Sequence, residues 1–515
     1  MSRARVSQWV CGAAFGVATA VSTTAQAATT CESLRSLSLQ AATITATETI
    51  SNGTFTPPPA TGITWRPLTD LPAFCRVTAT LRPTTDSEIA IEVWLPASAQ
   101  GSSAGSTWNG KLQSVGNGAW GGVINYPALG DALSAGYVTA GTDTGHVGNN
   151  PRFAVGHPEK LADYGYRAVH EMTVAAKAIV TAFYGNGPKL SYWNSCSTGG
   201  RQGLMEAQRF PADYDGIIAG APVHARTQQL IWQIWVAQAV HKDDASYIPP
   251  SKYPVIHQAA LAACDARDGV ADGLIENPIA CRFDPGVLTC DGADGPSCLT
   301  TPQIDAVKKI YSPASNPVTH ETIYPGMQPG SELRWEPLAG KEPSSEAADF
   351  FKSLVFQNDL WDFRTLRFES AQKSADAAER GTINALDANL KPFFSRGGKL
   401  LLYHGWSDQL VAPMSSVDYY ERVLKAVGRG TSANSVRLFM MPGVTHCAGG
   451  EGPSAFDKVG TMEQWVEHGR PPDRIVASHS TSGKVDRTRP LCPYPQVASY
   501  RGTGSVDEAA SFVCR

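Results

Sequence analysis

Apolar positions along the chain gather into short runs separated by turn residues, and strand-like and helix-like periods alternate among them. Residues 43–49 alternate loosely ahead of a turn at Pro57-Pro58-Pro59, and residues 74–81 and 89–95 alternate with β-branched content, which predicts strands. Residues 111–115, 137–140, 190–193 and 216–222 are apolar runs of buried-strand length, and residues 166–183 form a helical stretch before the third of them. From 223 to 394 the chain is richer in Pro, Asp and Cys, with helical pieces around Trp232-Trp235 and 371–380. Strand-like runs return at 398–405 and 436–441. Strands alternating with helices predict a doubly wound, mostly parallel α/β sheet. The middle stretch, 223–394, is expected to be a lid inserted between two parts of one domain, 28–222 and 395–515.

One run carries a chemical signal. The strand-like Leu190-Ser191-Tyr192-Trp193 stops at Asn194-Ser195-Cys196-Ser197-Thr198-Gly199-Gly200, and helix-forming residues follow. A Ser on a tight turn between strand and helix is the nucleophile elbow of the α/β-hydrolase fold. Small residues are needed two places to either side, and here they are Ser195, where Gly is commoner, and Gly199. The string alone is common; its flanks and partners give it weight. In this fold the acid and then the His follow the Ser on loops after late strands. Asp408 lies in YHGWSDQLVAP after the run at 400–403, and His446 lies in MPGVTHC after 436–441. Ser197, Asp408 and His446 are therefore the expected nucleophile, orienting acid and base. His404, at a strand end, reads as a packed, hydrogen-bonded histidine, and Asp143 precedes the Ser, the wrong order for the acid.

An oxyanion needs backbone donors. The amide of Thr198 is one candidate, and the other comes from the glycine loop 116–122, with Gly118 first and Ala119 next to it. That loop spells G-x-G-x-x-G, with Asp143 beyond it, as a dinucleotide site does. Residues 123–127 do not read as a helix start, which counts against that alternative. Cys196 precedes the Ser and Cys447 follows the His. Closing the triad brings their Cα atoms toward the roughly 7 Å limit for a disulfide, so a Cys196–Cys447 bridge is expected in place of a free or nucleophilic thiol.

Composition adds compartment. Over 515 residues the net charge is -4, which gives no electrostatic reason to expect nucleic acid or an anionic membrane as a partner. Arg3 and Arg5, the apolar residues 10–21 and Ala25-Gln26-Ala27 predict a cleaved signal peptide over 1–27, hence a soluble exported protein, secreted or periplasmic. Cys11 leaves with that segment. Ten cysteines remain: Cys31, Cys75, Cys196, Cys264, Cys281, Cys290, Cys298, Cys447, Cys492 and Cys514. An even number in an oxidising compartment predicts five disulfides, whose pairing spacing alone does not fix.

The runs SCSTGGRQGLMEAQRFPADYDGIIAGAP and GGKLLLYHGWSDQLVAP and the pair His446-Cys447 resemble the tannase and feruloyl esterase family. The resemblance covers nearly all of the chain after the signal and is looser in the lid. It implies a serine carboxylesterase that cleaves esters of phenolic acids, feruloyl or galloyl, through an acyl-enzyme. Terephthalate monoesters are the alternative substrates, and the phenolic ester is expected free or attached to plant polysaccharide or polyphenol. The resemblance also implies the pairs Cys31–Cys75, Cys264–Cys281, Cys290–Cys298 and Cys492–Cys514.

It further implies a structural Ca2+ in the lid, held by Asp265, Asp268 and Asp272 and by the backbone carbonyls of Val270 and Leu274. Three carboxylates within eight residues suit a hard cation; without the resemblance the stretch reads as an Asp/Gly turn. No organic cofactor is expected. Trp232, Trp235 and Trp361 are candidates for stacking on a flat acid, with core packing as the competing role. A non-catalytic binding protein and a peptidase are the competing functions, and the complete triad counts against the first.

Overall fold

In chain order the strands are β1 (Ala42–Ile50), β2 (Phe74–Leu81), β3 (Ile89–Pro96), β4 (Lys111–Ser114), β5 (Val138–Thr142), β6 (Leu190–Cys196) and β7 (Gly216–Gly220). A small hairpin follows, β8 (Ala314–Ser315) and β9 (Thr322–Tyr324), and then β10 (Lys399–Gly405) and β11 (Val436–Met441). All but β8 and β9 join one sheet, in the order β1-β2-β3-β5-β4-β6-β7-β10-β11. This computed structural model describes residue 1 and residues 30–60, 63–97 and 107–515. Apart from Met1, the signal peptide expected at 1–27 lies outside the described residues.

Pairing is antiparallel from β1 through β2 and β3 to β5, and parallel from β5 through β4, β6, β7 and β10 to β11. The parallel strands are covered on both faces, which is why they read as unbroken apolar runs. Every residue of β5 and β7 is buried. Edge strand β1 has a single buried residue, Ile44, and accordingly alternates only loosely.

One expectation needs correcting. Residues 123–127 do open a helix: Tyr126–Ser134, capped by the Asn125 side chain, which accepts from the Ala128 amide. Asn at the cap and Pro127 in the first turn are the usual start signals. The glycines before them hid that start.

Between β7 and β10 the chain adds nothing to the main sheet. Its first helix, Arg226–Val240, is buried almost all round, and Trp232 and Trp235 pack with Ile256, Val307 and Ile310 in a separate apolar core. The helical piece expected at 371–380 is the helix Phe368–Glu379. After β11 comes a hairpin that the sequence pattern did not announce, β12 (Ile475–Thr481) and β13 (Lys484–Leu491). Five disulfides join Cys31 to Cys75, Cys196 to Cys447, Cys264 to Cys281, Cys290 to Cys298 and Cys492 to Cys514. Among the described residues no helix is long and apolar enough to cross a membrane.

Candidate active site

Ser197 stands between β6 and the helix Thr198–Arg209 with φ +64° and ψ -124°, a conformation that side-chain-bearing residues rarely adopt. The turn is held from both sides. The Ser197 amide donates to the Gly220 carbonyl at 2.9 Å, and the Ser197 carbonyl accepts from the Val223 amide at 3.2 Å. Gly199 explains why Ser195 is tolerated: a Cβ on Gly199 would collide with Ser195 Oγ, so one small residue makes room for the other.

The loops after β10 and β11 bring Asp408 and His446 to this turn. His446 Nε2 lies 2.9 Å from Ser197 Oγ, and Nδ1 lies 2.7 Å from Asp408 Oδ2. With Asp408 as acceptor, Nδ1 carries the proton and Nε2 is free to accept from the hydroxyl. Asp408 is buried, and its other oxygen accepts from the Leu410 and Val411 amides at 2.8 and 2.9 Å. Burial alone would raise this carboxyl, but His446 and His404 hold it well below the usual carboxylate range. Burial likewise would lower the His446 imidazole; the Asp408 carboxylate outweighs it, and the net shift is upward from 6.5.

His404 is the residue whose part the sequence reading missed. Its Nε2 lies 3.0 Å from both Asp408 Oδ2 and the Val411 carbonyl, and its Nδ1 lies 2.7 Å from Ser416 Oγ. Two acceptors at Nε2 place the proton there. It is packed and hydrogen-bonded, as expected, but its partner is Asp408, the same carboxylate that accepts from His446. Four-residue spacing from Asp408 was the available signal. Asp143, pushed up to about 7 by burial, instead accepts from the Ala90 and Gly145 amides at the end of β5.

The Cys196–Cys447 bridge spans a Cα–Cα distance of 5.9 Å and ties the residue before Ser197 to the residue after His446. Cys447 takes φ +67°, so the base loop bends sharply where the bridge leaves it.

The glycine loop is locked to the nucleophile helix through Asn117 and Gln202. Gln202 accepts from the Asn117 amide at 3.1 Å and donates to Asn117 Oδ1 at 2.9 Å. Asn117 Nδ2 donates to the carbonyls of Gly121, Val123 and Thr142, and its own carbonyl takes the Gly199 amide. Gly116 must be glycine, because a Cβ there would strike Gly199 Cα and the Gln202 side chain. Thr198 Oγ1 donates to the Ala119 carbonyl at 2.6 Å, which sets the loop beside the first residue of the helix. The Trp120 and Gly121 amides are taken by Asn149 and Gly118, while those of Gly118 and Ala119 have no acceptor among the described residues. Thr198, first in its helix, has an orphan amide by geometry.

The three tryptophans make ring contacts with other residues between β7 and β10. Trp232 meets Tyr324; Trp235 meets Phe368 and Lys309; Trp361 stacks on Phe351 and Phe356. These are core contacts, and none reaches the triad.

Further out, Asp265 accepts from the Asp272 and Gly273 amides, Asp268 from the Val270 amide, and Asp272 from the Leu274 amide. Arg489 of β13 pairs with Asp272. Burial pushes the Asp268 carboxyl up to about 6, with the Asp272 and Asp265 charges adding to it.

Strand order, elbow and loop placement together define an α/β-hydrolase. A family model described as tannase and feruloyl esterase matches residues 75–515. The chain belongs to that family and is a carboxylic ester hydrolase of its type. Among curated relatives it is 38% identical to an uncharacterized esterase of Xanthomonas campestris, covering 96% of this chain and 92% of the relative. It is 33% identical to a probable feruloyl esterase B-1 of Aspergillus oryzae, covering 87% and 85%. Among solved structures, feruloyl esterase B of Aspergillus oryzae superposes with TM-score 0.88 at 30% identity, covering 94% and 99%. Tannin acyl hydrolase of Aspergillus niger superposes with TM-score 0.75 at 22% identity, covering 93% and 92%, and shares the fold.

Proposed function

We propose that the protein is an exported serine carboxylesterase that hydrolyses esters of aromatic acids through Ser197, His446 and Asp408. The observation that carries this is the unbroken chain of hydrogen bonds from Ser197 Oγ through the imidazole to Asp408, at 2.9 and 2.7 Å. Ser197 Oγ attacks the ester carbonyl and its proton passes to His446 Nε2, while Asp408 holds the imidazole in the required tautomer. The Thr198 amide and that of Gly118 or Ala119 stabilise the oxyanion. Collapse expels the alcohol, which takes the proton from His446. Water then attacks the acyl-enzyme by the same route, releasing the acid and restoring Ser197.

Phenolic acids are the first choice for the acyl group, since the similar proteins include a feruloyl esterase and a tannin acyl hydrolase; terephthalate monoesters are the alternative. Five disulfides suit an oxidising compartment, in keeping with export.

We propose that the acidic lid loop holds a calcium ion. Its side-chain donors are oxygens only: Asp272 pairs with Arg489, while Asp265 and Asp268 accept from backbone amides of the loop. Asp265, Asp268, Asp272 and the carbonyls of Val270 and Leu274 would hold it. A bound calcium would supply charge neutralisation that fixes the loop, with no part in ester cleavage.

Methyl ferulate, methyl gallate and mono(2-hydroxyethyl) terephthalate, assayed side by side, test the substrate class. Turnover of a phenolic ester is expected to lead. Turnover of none of them, or of a p-nitroanilide in their place, would overturn the reading.

A further inference from the structure

Three side chains from separate elements meet at the far end of the nucleophile helix. Glu206 lies in the last turn of the helix Thr198–Arg209, Asp213 in the turn that leads to β7, and His170 in the helix Ala168–Tyr184. His170 Nδ1 lies 2.6 Å from Asp213 Oδ2, and one ligating atom of each of the three residues lies within 4.8 Å of the other two. The His170 ring stacks on Phe210 with centroids 3.8 Å apart, which fixes the plane of the imidazole. Among the described residues the other such grouping is Cys290, Asp294 and Cys298, whose cysteines are joined in a disulfide and offer no thiolate.

Glu206 is 1% exposed, and neither of its carboxylate oxygens has a hydrogen-bond partner. A buried carboxylate left unpaired is costly. Donors in its neighbourhood are engaged elsewhere. The Lys177 ammonium donates to the Asp213 main-chain carbonyl at 2.5 Å, and the Tyr214 hydroxyl lies 2.5 Å from Thr173 Oγ1. Burial and then the Asp213 charge push the Glu206 carboxyl well above 4.5, so the two acids need a proton or a cation between them. The place is open to solvent on one side: the His170 side chain is 28% exposed and that of Asp213 12%.

We propose that His170, Glu206 and Asp213 form a binding site for a divalent transition-metal ion, zinc first, which ties the nucleophile helix to the helix ahead of β6 and to the approach to β7. One imidazole nitrogen and two carboxylates are zinc ligands, and three protein ligands leave a fourth position for water. Two carboxylates balance the charge of the ion. At Zn–N and Zn–O distances of about 2.0–2.2 Å, tetrahedral ligands stand about 3.3–3.6 Å apart. The contact of His170 with Asp213 therefore opens by about 1 Å or less as the ion enters. The nitrogen ligand separates this site from the acidic loop at 265–274, whose side chains offer oxygen alone and suit calcium. Ser197 stands at the other end of the helix, so the role is structural.

The test is a calorimetric titration with zinc of the untagged protein, stripped with chelator, desalted and held in excess Ca2+ so that the acidic loop does not compete. One zinc ion per chain is expected to bind, and at about 100 times Kd it should raise the melting temperature by about 3 °C. His170→Ala, at a partly exposed position, and Glu206→Gln should each weaken zinc binding by about 100-fold or more, since even changes behind the ligands cost about 10–100-fold. If Glu206→Gln does not fold, His170→Ala decides. Absence of zinc binding in the wild type, or unchanged affinity in His170→Ala, overturns the proposal. A wild type that binds no zinc while Glu206→Gln melts higher assigns the gap to a shared proton and overturns it equally.

Discussion

Asp408 accepts from two histidines: His446, which in the proposed mechanism is the base, and His404, which packing holds in place. His404 is fully buried between Ser416 and Val411, whereas His446 faces Ser197. The base works only when neutral, and its pKa is raised above 6.5 by the Asp408 carboxylate. The sign follows: protonation removes activity, and a raised pKa moves that loss to higher pH. For an uncharged ester, kcat/KM should therefore fall on the acid side through an inflection above 6.5, and a pH–rate profile checks it. An inflection below that value would show that the carboxylate does not govern the imidazole. At this scale the sequence was informative where chain order constrains chemistry, as for Ser197, Asp408 and His446. It was silent where only packing brings partners together. The spacing of His404 from Asp408 is compatible with a bond but does not by itself announce one, and nothing along the chain announces the ion pair of Arg226 with Glu346.

Elements were legible in proportion to their burial. β7, β10 and β11 are covered on both faces, so their apolar runs stand out and end within two residues of the expected positions. β13 is exposed over its first half, reads as polar and gave no signal. The helix Tyr126–Ser134 was lost because glycines crowd the approach to Asn125.

The same scale includes the clamp between elbow and base loop, which joins residues 251 apart. Replacing both Cys196 and Cys447 by Ala should lower thermal stability by about 2–5 kcal/mol. It should also cut kcat about tenfold or more through misplacement of the imidazole, with KM changed less. Melting and steady-state kinetics on the double variant measure both, and unchanged kcat would reduce the bridge to a structural staple.

At the scale of the whole molecule, the stretch between β7 and β10 has an apolar core of its own and shares another with the residues around Trp120 and Tyr164. The acidic loop at 265–274 docks on β13 through Asp272 and Arg489, and Arg487 also donates to the Asp272 carbonyl. A cation there would stabilise the docked lid, not the reacting ester. Chelation should therefore lower the melting temperature by about 5 °C, reversibly on adding calcium. Differential scanning calorimetry with chelator and then excess Ca2+ checks it; a transition insensitive to both would remove calcium from the account. The break in pattern after β7 marks where the chain leaves the main sheet, but the packing of that stretch was not legible, because it depends on contacts far apart in sequence.

The central claim is that Ser197 is the nucleophile, and covalent labelling tests it most directly. After reaction with a fluorophosphonate, peptide mapping should find the adduct on Ser197 and none in Ser197→Ala. That variant should keep its far-UV circular dichroism and lose methyl ferulate hydrolysis by about 10⁴-fold or more. A label on another residue, or full turnover in Ser197→Ala, would contradict the account.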